Sequence, residues 1–296
     1  MPCYSPLHGY RSKVKNENGK RPIVFKPKDG YIDMPVTVPC GQCIGCRLER
    51  SRQWAIRCVH ESKSYEKNCF ITLTYNDENL PENGSLHLPH FQKFMKRLRK
   101  EFGPGIRYFH CGEYGEKKAR PHYHACLFNF DFPDKKLWAT KLKNRLYTSD
   151  ILNKKWGHGY CIIGDVTFDS AAYVARYILK KVTGEKADDH YGDRDPEYTT
   201  MSRRPGIGRK FYDEFKNDIY PDDTVIIKGR EMKPPKYYDN IYDLQNPSEF
   251  ATIKYKRKLK AMEKSDYNDE DRLRVKEKCL KARLKNLKRS YESGNY

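Results

Sequence analysis

The chain has 296 residues, and its 58 Lys and Arg against 39 Asp and Glu leave a formal charge of +19. No run approaches the roughly 18 apolar residues of a spanning helix, the start Met1-Pro2-Cys3-Tyr4-Ser5 lacks the charged and apolar regions of a secretory signal, and 13% aromatic residues argue against disorder. Expected, then, is a soluble, intracellular protein with one large domain or two small ones, whose basic surplus fits nucleic acid as partner; a merely solvated basic surface is the reading that charge alone leaves open.

Residues 1–39 are polar, with Gly, Pro and Lys scattered through them, and read as a loop-rich arm. Cys40, Cys43 and Cys46 follow, then a helix from about Leu48 to Ser62 with Leu48, Ala55, Ile56 and Val59 inward. Phe70-Ile71-Thr72-Leu73-Thr74-Tyr75 is β-branched and aromatic, a strand ending at the Asn76-Asp77 turn. Phe91, Phe94, Met95, Leu98 and Phe102 recur at helical spacing until Gly103-Pro104-Gly105 stops them. Ile106 to Glu113 and His122 to Phe130 are strands joined by a short polar connection. A helix is predicted around Leu137 to Leu146, a third strand from Cys161 to Phe168, and a helix from Ser170 to Val182 capped by Asp169 or Ser170 with Gly184 beyond its end.

This order predicts an α+β fold, an antiparallel β-sheet flanked by helices, with an N-terminal Cys-rich arm and a basic helical C-terminal tail. The divisions are 1–68 for the arm and its helix, 69–183 for the sheet-bearing core, 184–250 for a basic loop and hairpin about Lys228-Gly229, and 251–296 for the tail. That tail carries 15 basic and 7 acidic residues with Leu273, Leu280, Leu284 and Leu287 as a narrow stripe.

Pro121-His122-Tyr123-His124 puts two imidazoles on one face of a strand, because strand side chains alternate. Alone, such a pair is more often structural than ligating. Glu113 ends the preceding strand, so hairpin pairing brings a carboxylate over the same face; Glu116 is a rival, and a solvated loop carboxylate is the alternative for Glu113. One carboxylate and two imidazoles suit a divalent ion such as Mg²⁺ or Mn²⁺ with positions left open. On the helix after Asp169, Ala171, Val174, Ala175, Ile178 and Val182 gather on one side, and Tyr173, Tyr177 and Lys180 nearly opposite. Taken singly, each tyrosine reads as cover for a surface groove. Together, beside a metal site, they offer phenols for attack on a polarised phosphate, leaving a phosphotyrosine bond that keeps the phosphodiester's free energy.

The segment Phe70 to Tyr75, the Pro121-His122-Tyr123-His124 stretch and the Tyr173-x3-Tyr177 helix resemble, in order, the three motifs of HUH endonucleases that initiate rolling-circle replication. The pair of tyrosines with Lys180-Lys181 is similar to the gene A protein of φX-type phages. Met1-Pro2-Cys3-Tyr4, Pro39 to Arg47 and Ser202 to Gly208 resemble initiators of gokushovirus-type microviruses. The resemblance implies an HUH/RRM-like catalytic core and an enzyme that nicks the origin of a small single-stranded DNA phage in the host cytoplasm and rejoins the strands. It implies Glu113, His122 and His124 as metal ligands, Tyr173 and Tyr177 as nucleophiles, and Lys180 or Lys181 as the assisting lysine. Tyr123 stands where the motif asks for a bulky hydrophobe. No P-loop signature is found, so a host helicase and polymerase are expected partners beside origin DNA, and no membrane.

Cys40, Cys43 and Cys46 sit at zinc-ligand spacing, and a structural Zn²⁺ normally takes four ligands. Cys3 is the first choice for the fourth, with His8, Cys58 and His60 as alternatives; an unmetallated cluster of reduced thiols, as expected inside a cell, fits equally. Arg203, Arg204, Arg209 and Lys210, with backbone N–H groups at a helix start, are candidate phosphate contacts. Two rival functions stay open: a relaxase or transposase with the same chemistry on another DNA, and a non-enzymatic zinc-containing nucleic-acid-binding protein whose tyrosines stack on bases.

Overall fold

The computed structural model describes residues 3–17, 19–115, 118–141, 144–176, 181–182, 186–263 and 269–285. The chain divides into two units, one formed by residues 1–49 and 257–288 and the other chiefly by residues 50–256.

In the first unit, β1 (Leu7–Ser12), β2 (Ile23–Val24) and β3 (Gly30–Val38) form an antiparallel sheet in the order β2-β1-β3. The expected loop-rich arm therefore carries a three-stranded sheet. Its β-branched residues, Ile32, Val36, Thr37 and Val38, support the long strand even though none of them is buried. The helix α1 (Ile44–Lys63) begins directly after Cys43 and carries Cys46 in its first turn.

The second unit is built on a sheet of seven strands. In chain order its elements are β4 (Asn68–Thr74), α2 (Leu88–Phe102), β5 (Arg107–Tyr114), β6 (Pro121–Phe128), β7 (Lys136–Lys141), β8 (Asn144–Thr148), α3 (Asp150–Trp156), β9 (Cys161–Gly164), α4 (Phe168–Arg176), α5 (Lys186–Tyr191) and β10 (Tyr198–Met201). There follow α6 (Arg209–Asp222), β11 (Val225–Ile227), β12 (Arg230–Met232), α7 (Lys236–Gln245) and α8 (Pro247–Met262); α9 (Glu270–Lys285) belongs to the first unit. The large sheet runs β10-β5-β6-β4-β9-β8-β7, and every pairing is antiparallel. The α+β class read from the sequence is the architecture found.

Alternation along the strands makes two cores. Ile71, Leu73, Tyr123, Ala125, Leu127 and Ile163 face α2 and α3, where Phe91, Phe94, Leu98 and Trp156 are buried. Complete burial of an aliphatic or phenylalanine side chain of this kind contributes about 1.5–3 kcal/mol. Phe70, Phe109, Cys111, Cys126 and Phe128 face the other way, onto Ala55 and Cys58 of α1 and Ala171, Val174 and Ala175 of α4. A third cluster joins Ile56 of α1 to Tyr212, Ile219 and Tyr220 of α6 and Tyr238 and Tyr242 of α7.

Residues 136–148 are the main correction. The predicted helix there is the hairpin β7–β8 at the edge of the sheet. Leu137 and Trp138 stay exposed, so no buried stripe of helical period holds these residues. Tyr147 instead pairs with Ile163 of β9 and docks the hairpin onto the sheet. The helix that follows starts at the Ser149 cap, whose Oγ accepts from Leu152 N at 3.0 Å. At the β11–β12 turn, Lys228 (φ 51°) and Gly229 (φ 70°) both take the positive φ of a type I′ hairpin. Among the described residues no helix is long and apolar enough to cross a membrane.

Candidate active site

Strand register assembles the site. β5 and β6 pair so that Glu113 stands opposite His122, and Cys111 opposite His124. β4 and β6 pair Thr74 with His122 and Thr72 with His124. Because side chains alternate, Glu113, His122, His124 and Thr72 leave the same face, the one that α4 covers. The Glu113 Oε1 atom lies 2.7 Å from His122 Nε2 and 3.1 Å from His124 Nε2. Glu113 and His124 are buried, and His122 is half-buried. Burial alone would raise the carboxyl's pKa, but the hydrogen bonds and charge of the two imidazoles outweigh it and hold Glu113 at about 2.

The other ring nitrogens are occupied. The Arg120 carbonyl accepts from His122 Nδ1 at 3.1 Å, which puts a proton on Nδ1 and turns Nε2 toward Glu113. Arg120 is braced in turn, donating to Asp77 at 2.6 Å and to the Tyr75 carbonyl at 3.1 Å. His124 Nδ1 shares a hydrogen bond of 2.9 Å with Thr72 Oγ1. Ring nitrogens oriented by outer partners are what metal-ligating histidines need. One carboxylate oxygen and two imidazole nitrogens, all within 4.8 Å of one another, fit a divalent cation with further positions open for phosphate and water. The rival Glu116 lies outside the described residues.

Helix α4 brings a phenol to the same face. Thr167, not Asp169 or Ser170, caps it: Ser170 N donates to Thr167 Oγ1 at 3.1 Å while Thr167 N donates to Ser170 Oγ at 2.8 Å. The Tyr173 ring stands edge-on to His124, with centroids 5.0 Å apart, and edge-on to Phe70 at 6.5 Å. Its position differs from the expectation of a tyrosine off the apolar stripe, because Tyr173 is only 5% exposed. The helix is enclosed on more than one side: the sheet lies against Tyr173, and Ser51 of α1 donates to the Ala172 carbonyl at 3.1 Å. A helical wheel separates these faces, but here both are covered. Tyr177 and Lys180 lie outside the described residues; Lys181 is half-buried.

The basic segment after β10 is pinned to the sheet edge. Ser202 N donates to the Tyr108 carbonyl at 3.0 Å, and Arg107 donates to the Pro205 carbonyl at 2.6 Å. Arg107 also pairs with Glu61, whose second oxygen accepts from Gly208 N at 2.6 Å. Arg57 Nε donates to the Ile207 carbonyl at 2.9 Å. The Gly208 N–H at the start of α6 is thus committed to Glu61, which takes that one backbone donor away from a phosphate. Arg203 and Arg204 are exposed, whereas Arg209 is held by Asp213 at 2.8 Å and Lys210 donates to the Ser64 carbonyl at 3.3 Å.

Thr72 and Thr167 are the site residues the sequence does not single out. Thr72 shares a face with Phe70 and Thr74 in the strand motif, so its face is legible, but its partner depends on pairing between distant strands. Cys3, Cys40, Cys43 and Cys46 also converge, within 4.8 Å of one another.

These features define a basic α+β protein whose sheet sets a carboxylate and two imidazoles against a tyrosine-bearing helix. A family model, Replication-associated protein ORF2/G2P, matches residues 68–182, the stretch from β4 to just beyond α4. The chain belongs to this family. It is 37% identical over 268 residues to Replication-associated protein VP4 of Bdellovibrio phage phiMH2K, covering 87% of this chain and 84% of that protein. It is 38% identical over 280 residues to Replication-associated protein ORF2 of Spiroplasma virus 4, with 87% and 86% covered. To Replication-associated protein ORF4 of Chlamydia phage 1 the identity is 28% over 250 residues, with 77% and 60% covered. No solved structure matches the chain.

Proposed function

We propose that this protein initiates rolling-circle replication of a small single-stranded DNA phage as an HUH endonuclease, nicking origin DNA in the host cytoplasm through a tyrosine. The observation that carries this reading is the convergence of Glu113, His122 and His124 beneath a helix whose Tyr173 ring packs on His124. The family's name, which places it in replication, supports DNA as substrate. The +19 charge supports the same partner.

Glu113, His122 and His124 would hold Mg²⁺ or Mn²⁺, which supplies positive charge to the scissile phosphate. The chain's own residues then do the following. Thr72 and the Arg120 carbonyl keep the two imidazoles in register. A tyrosine Oη loses its proton and attacks phosphorus; the new bond is tyrosine Oη to phosphorus, and the bond to the 3′ oxygen breaks. That oxygen takes up a proton and leaves as a free 3′-hydroxyl. Lys181, or Lys180 before it, offers an ammonium close in sequence for charge compensation. Reversal by an incoming 3′-hydroxyl rejoins the strands and restores the phenol. A host helicase and polymerase would extend the freed end.

The burial of Tyr173 favours a second reading within this mechanism, in which Tyr177 attacks first and Tyr173 buttresses His124 until a later step. Incubating the protein with Mn²⁺ and an origin-bearing single-stranded oligonucleotide distinguishes these. A denaturation-resistant protein–DNA adduct is expected, absent in the Tyr173→Phe/Tyr177→Phe double variant and absent with chelator. If Tyr177 acts first, Tyr177→Phe alone removes the first adduct and Tyr173→Phe does not. A non-enzymatic DNA-binding protein forms no adduct, and a relaxase or transposase cleaves a transfer origin or transposon end instead of a phage origin.

A further inference from the structure

Apart from the Glu113 cluster, four thiols meet in the first unit. Cys3 precedes β1, Cys40 follows β3, and Cys43 and Cys46 bracket the start of α1. All four are free thiols and half-buried. Their Sγ atoms stand 3.6 Å apart for Cys3 and Cys40, 3.9 Å for Cys3 and Cys43, and 4.0 Å for Cys40 and Cys46. A disulfide requires about 2.05 Å, so none of these pairs is one.

The separations carry a sharper meaning. Sulfurs at the corners of a tetrahedron, each about 2.3 Å from a central zinc, lie about 3.8 Å from one another. The three spacings above straddle that edge length. A polynuclear iron–sulfur cluster would instead push its thiolates apart by the width of the cluster.

Backbone donors point at the same sulfurs. Cys40 N donates to Cys3 Sγ at 3.2 Å, Cys43 N to Cys40 Sγ at 3.2 Å, Gln42 N to Cys40 Sγ at 3.4 Å, and Tyr4 N to Cys43 Sγ at 3.3 Å. Neutral thiols are weak acceptors, whereas thiolates bound to a cation gain from such outer partners. Gly41, at φ 75°, supplies the left-handed residue that turns the chain between Cys40 and Cys43.

The other candidate ligands are engaged elsewhere. His8 Nδ1 is hydrogen-bonded to Thr37 at 3.0 Å, His60 is bonded to Tyr238 at 3.0 Å, and Cys58 is buried in the core beside Cys126.

We infer that Cys3, Cys40, Cys43 and Cys46 bind one Zn²⁺ in a closed tetrahedral site. With four protein ligands no position is left for water or substrate, so the centre is structural. It ties the residues on both sides of the N-terminal sheet to the first turn of α1, across loops that have little apolar burial to hold them.

The test uses the full chain purified with zinc present. Elemental analysis should find one zinc per chain, retained in His122→Ala and lost in Cys43→Ser. Cobalt substitution of the wild-type chain keeps the test valid if the cysteine variant does not fold. One equivalent of Co²⁺ should give the intense thiolate-to-cobalt absorption and visible bands of a tetrahedral sulfur site, removed by one equivalent of Zn²⁺. Absence of zinc together with absence of that spectrum would overturn the assignment. So would an iron–sulfur chromophore, a disulfide between any two of these cysteines, or zinc that leaves with His122 and stays without Cys43.

Discussion

At Glu113 a single carboxylate oxygen faces two imidazole nitrogens, and each imidazole is turned toward it by a group behind it. For His124 that group is the Thr72 hydroxyl, 2.9 Å away. Removing such an outer partner costs about 10–100-fold in metal affinity. Thr72→Val keeps the branched shape and removes the oxygen, so Mn²⁺ binding, followed by calorimetry or paramagnetic resonance, should weaken by that factor while the fold is kept. Unchanged affinity would mean the hydroxyl does not orient His124. The face that these residues share is legible in the sequence, because Glu113, His122 and His124 follow from strand alternation and a short hairpin. Thr72 as partner is not, since it takes the register between β4 and β6 to bring the two together. The burial of Tyr173 is hidden for a related reason: its amphipathic pattern reports one covered face of α4, and α1 covers another.

Among the elements, α1 packs against the large sheet, α4, α6 and α7, and His60 near its end shows how firmly they hold. Its ring stacks on Phe211 at 3.8 Å between centroids and bonds to the Tyr238 hydroxyl at 3.0 Å. Burial, with Lys63 nearby, lowers its pKa from 6.5 to about 3. The folded form thus holds His60 neutral, while the unfolded chain takes up a proton near 6.5. Its contribution is therefore complete above pH 6.5 and is lost as pH falls from there toward 3, by up to about 1.4 kcal/mol per pH unit. Denaturant titrations between pH 7 and 5 should show this loss, and His60→Phe should reduce its slope by about one proton; an unchanged slope would contradict the burial of the ring. A second element-scale prediction concerns Gly159, at φ 154°, where an added Cβ would lie 2.6 Å from the Thr74 carbonyl oxygen. Backbone atoms cannot yield as a side-chain tip can, so Gly159→Ala should lower stability by about 1–3 kcal/mol, read as a shift in the denaturation midpoint. The helix α2 announces itself by period, and β4 by its β-branched and aromatic composition, because the central strands are buried on both faces. The β7–β8 hairpin does not, because an edge hairpin with Leu137 and Trp138 exposed carries no clean alternation. Nor does the N-terminal sheet, whose long strand β3 buries little.

Over the whole molecule, the charge surplus is spread along the chain, but its exposed part near the sheet edge is selective. Arg203 and Arg204 are exposed on a loop fixed by Arg107, Arg57 and Glu61, while Arg209 is paired with Asp213. On single-stranded DNA each phosphate contact contributes about 0.7 to the slope of log affinity against log salt. Arg203→Ala/Arg204→Ala should reduce that slope by about 1.4, and Arg209→Ala should change it by much less, as measured by fluorescence anisotropy across a salt series. Equal effects from all three would show that the Asp213 pair does not hold Arg209 back. The charge itself is plain in the composition; which arginines remain available is decided only when the loop closes onto β5.

The proposed attack of Tyr173 or Tyr177 on DNA phosphate at the Glu113, His122 and His124 cluster would leave a nucleotide bound to the tyrosine. Mass spectrometry of the protease-digested adduct tests it most directly. A nucleotide remnant is expected on Tyr173 or Tyr177, dependent on divalent metal and lost in His122→Ala. A remnant on any other residue, or a cleaved strand with a free 5′-phosphate and no attached peptide, would contradict it.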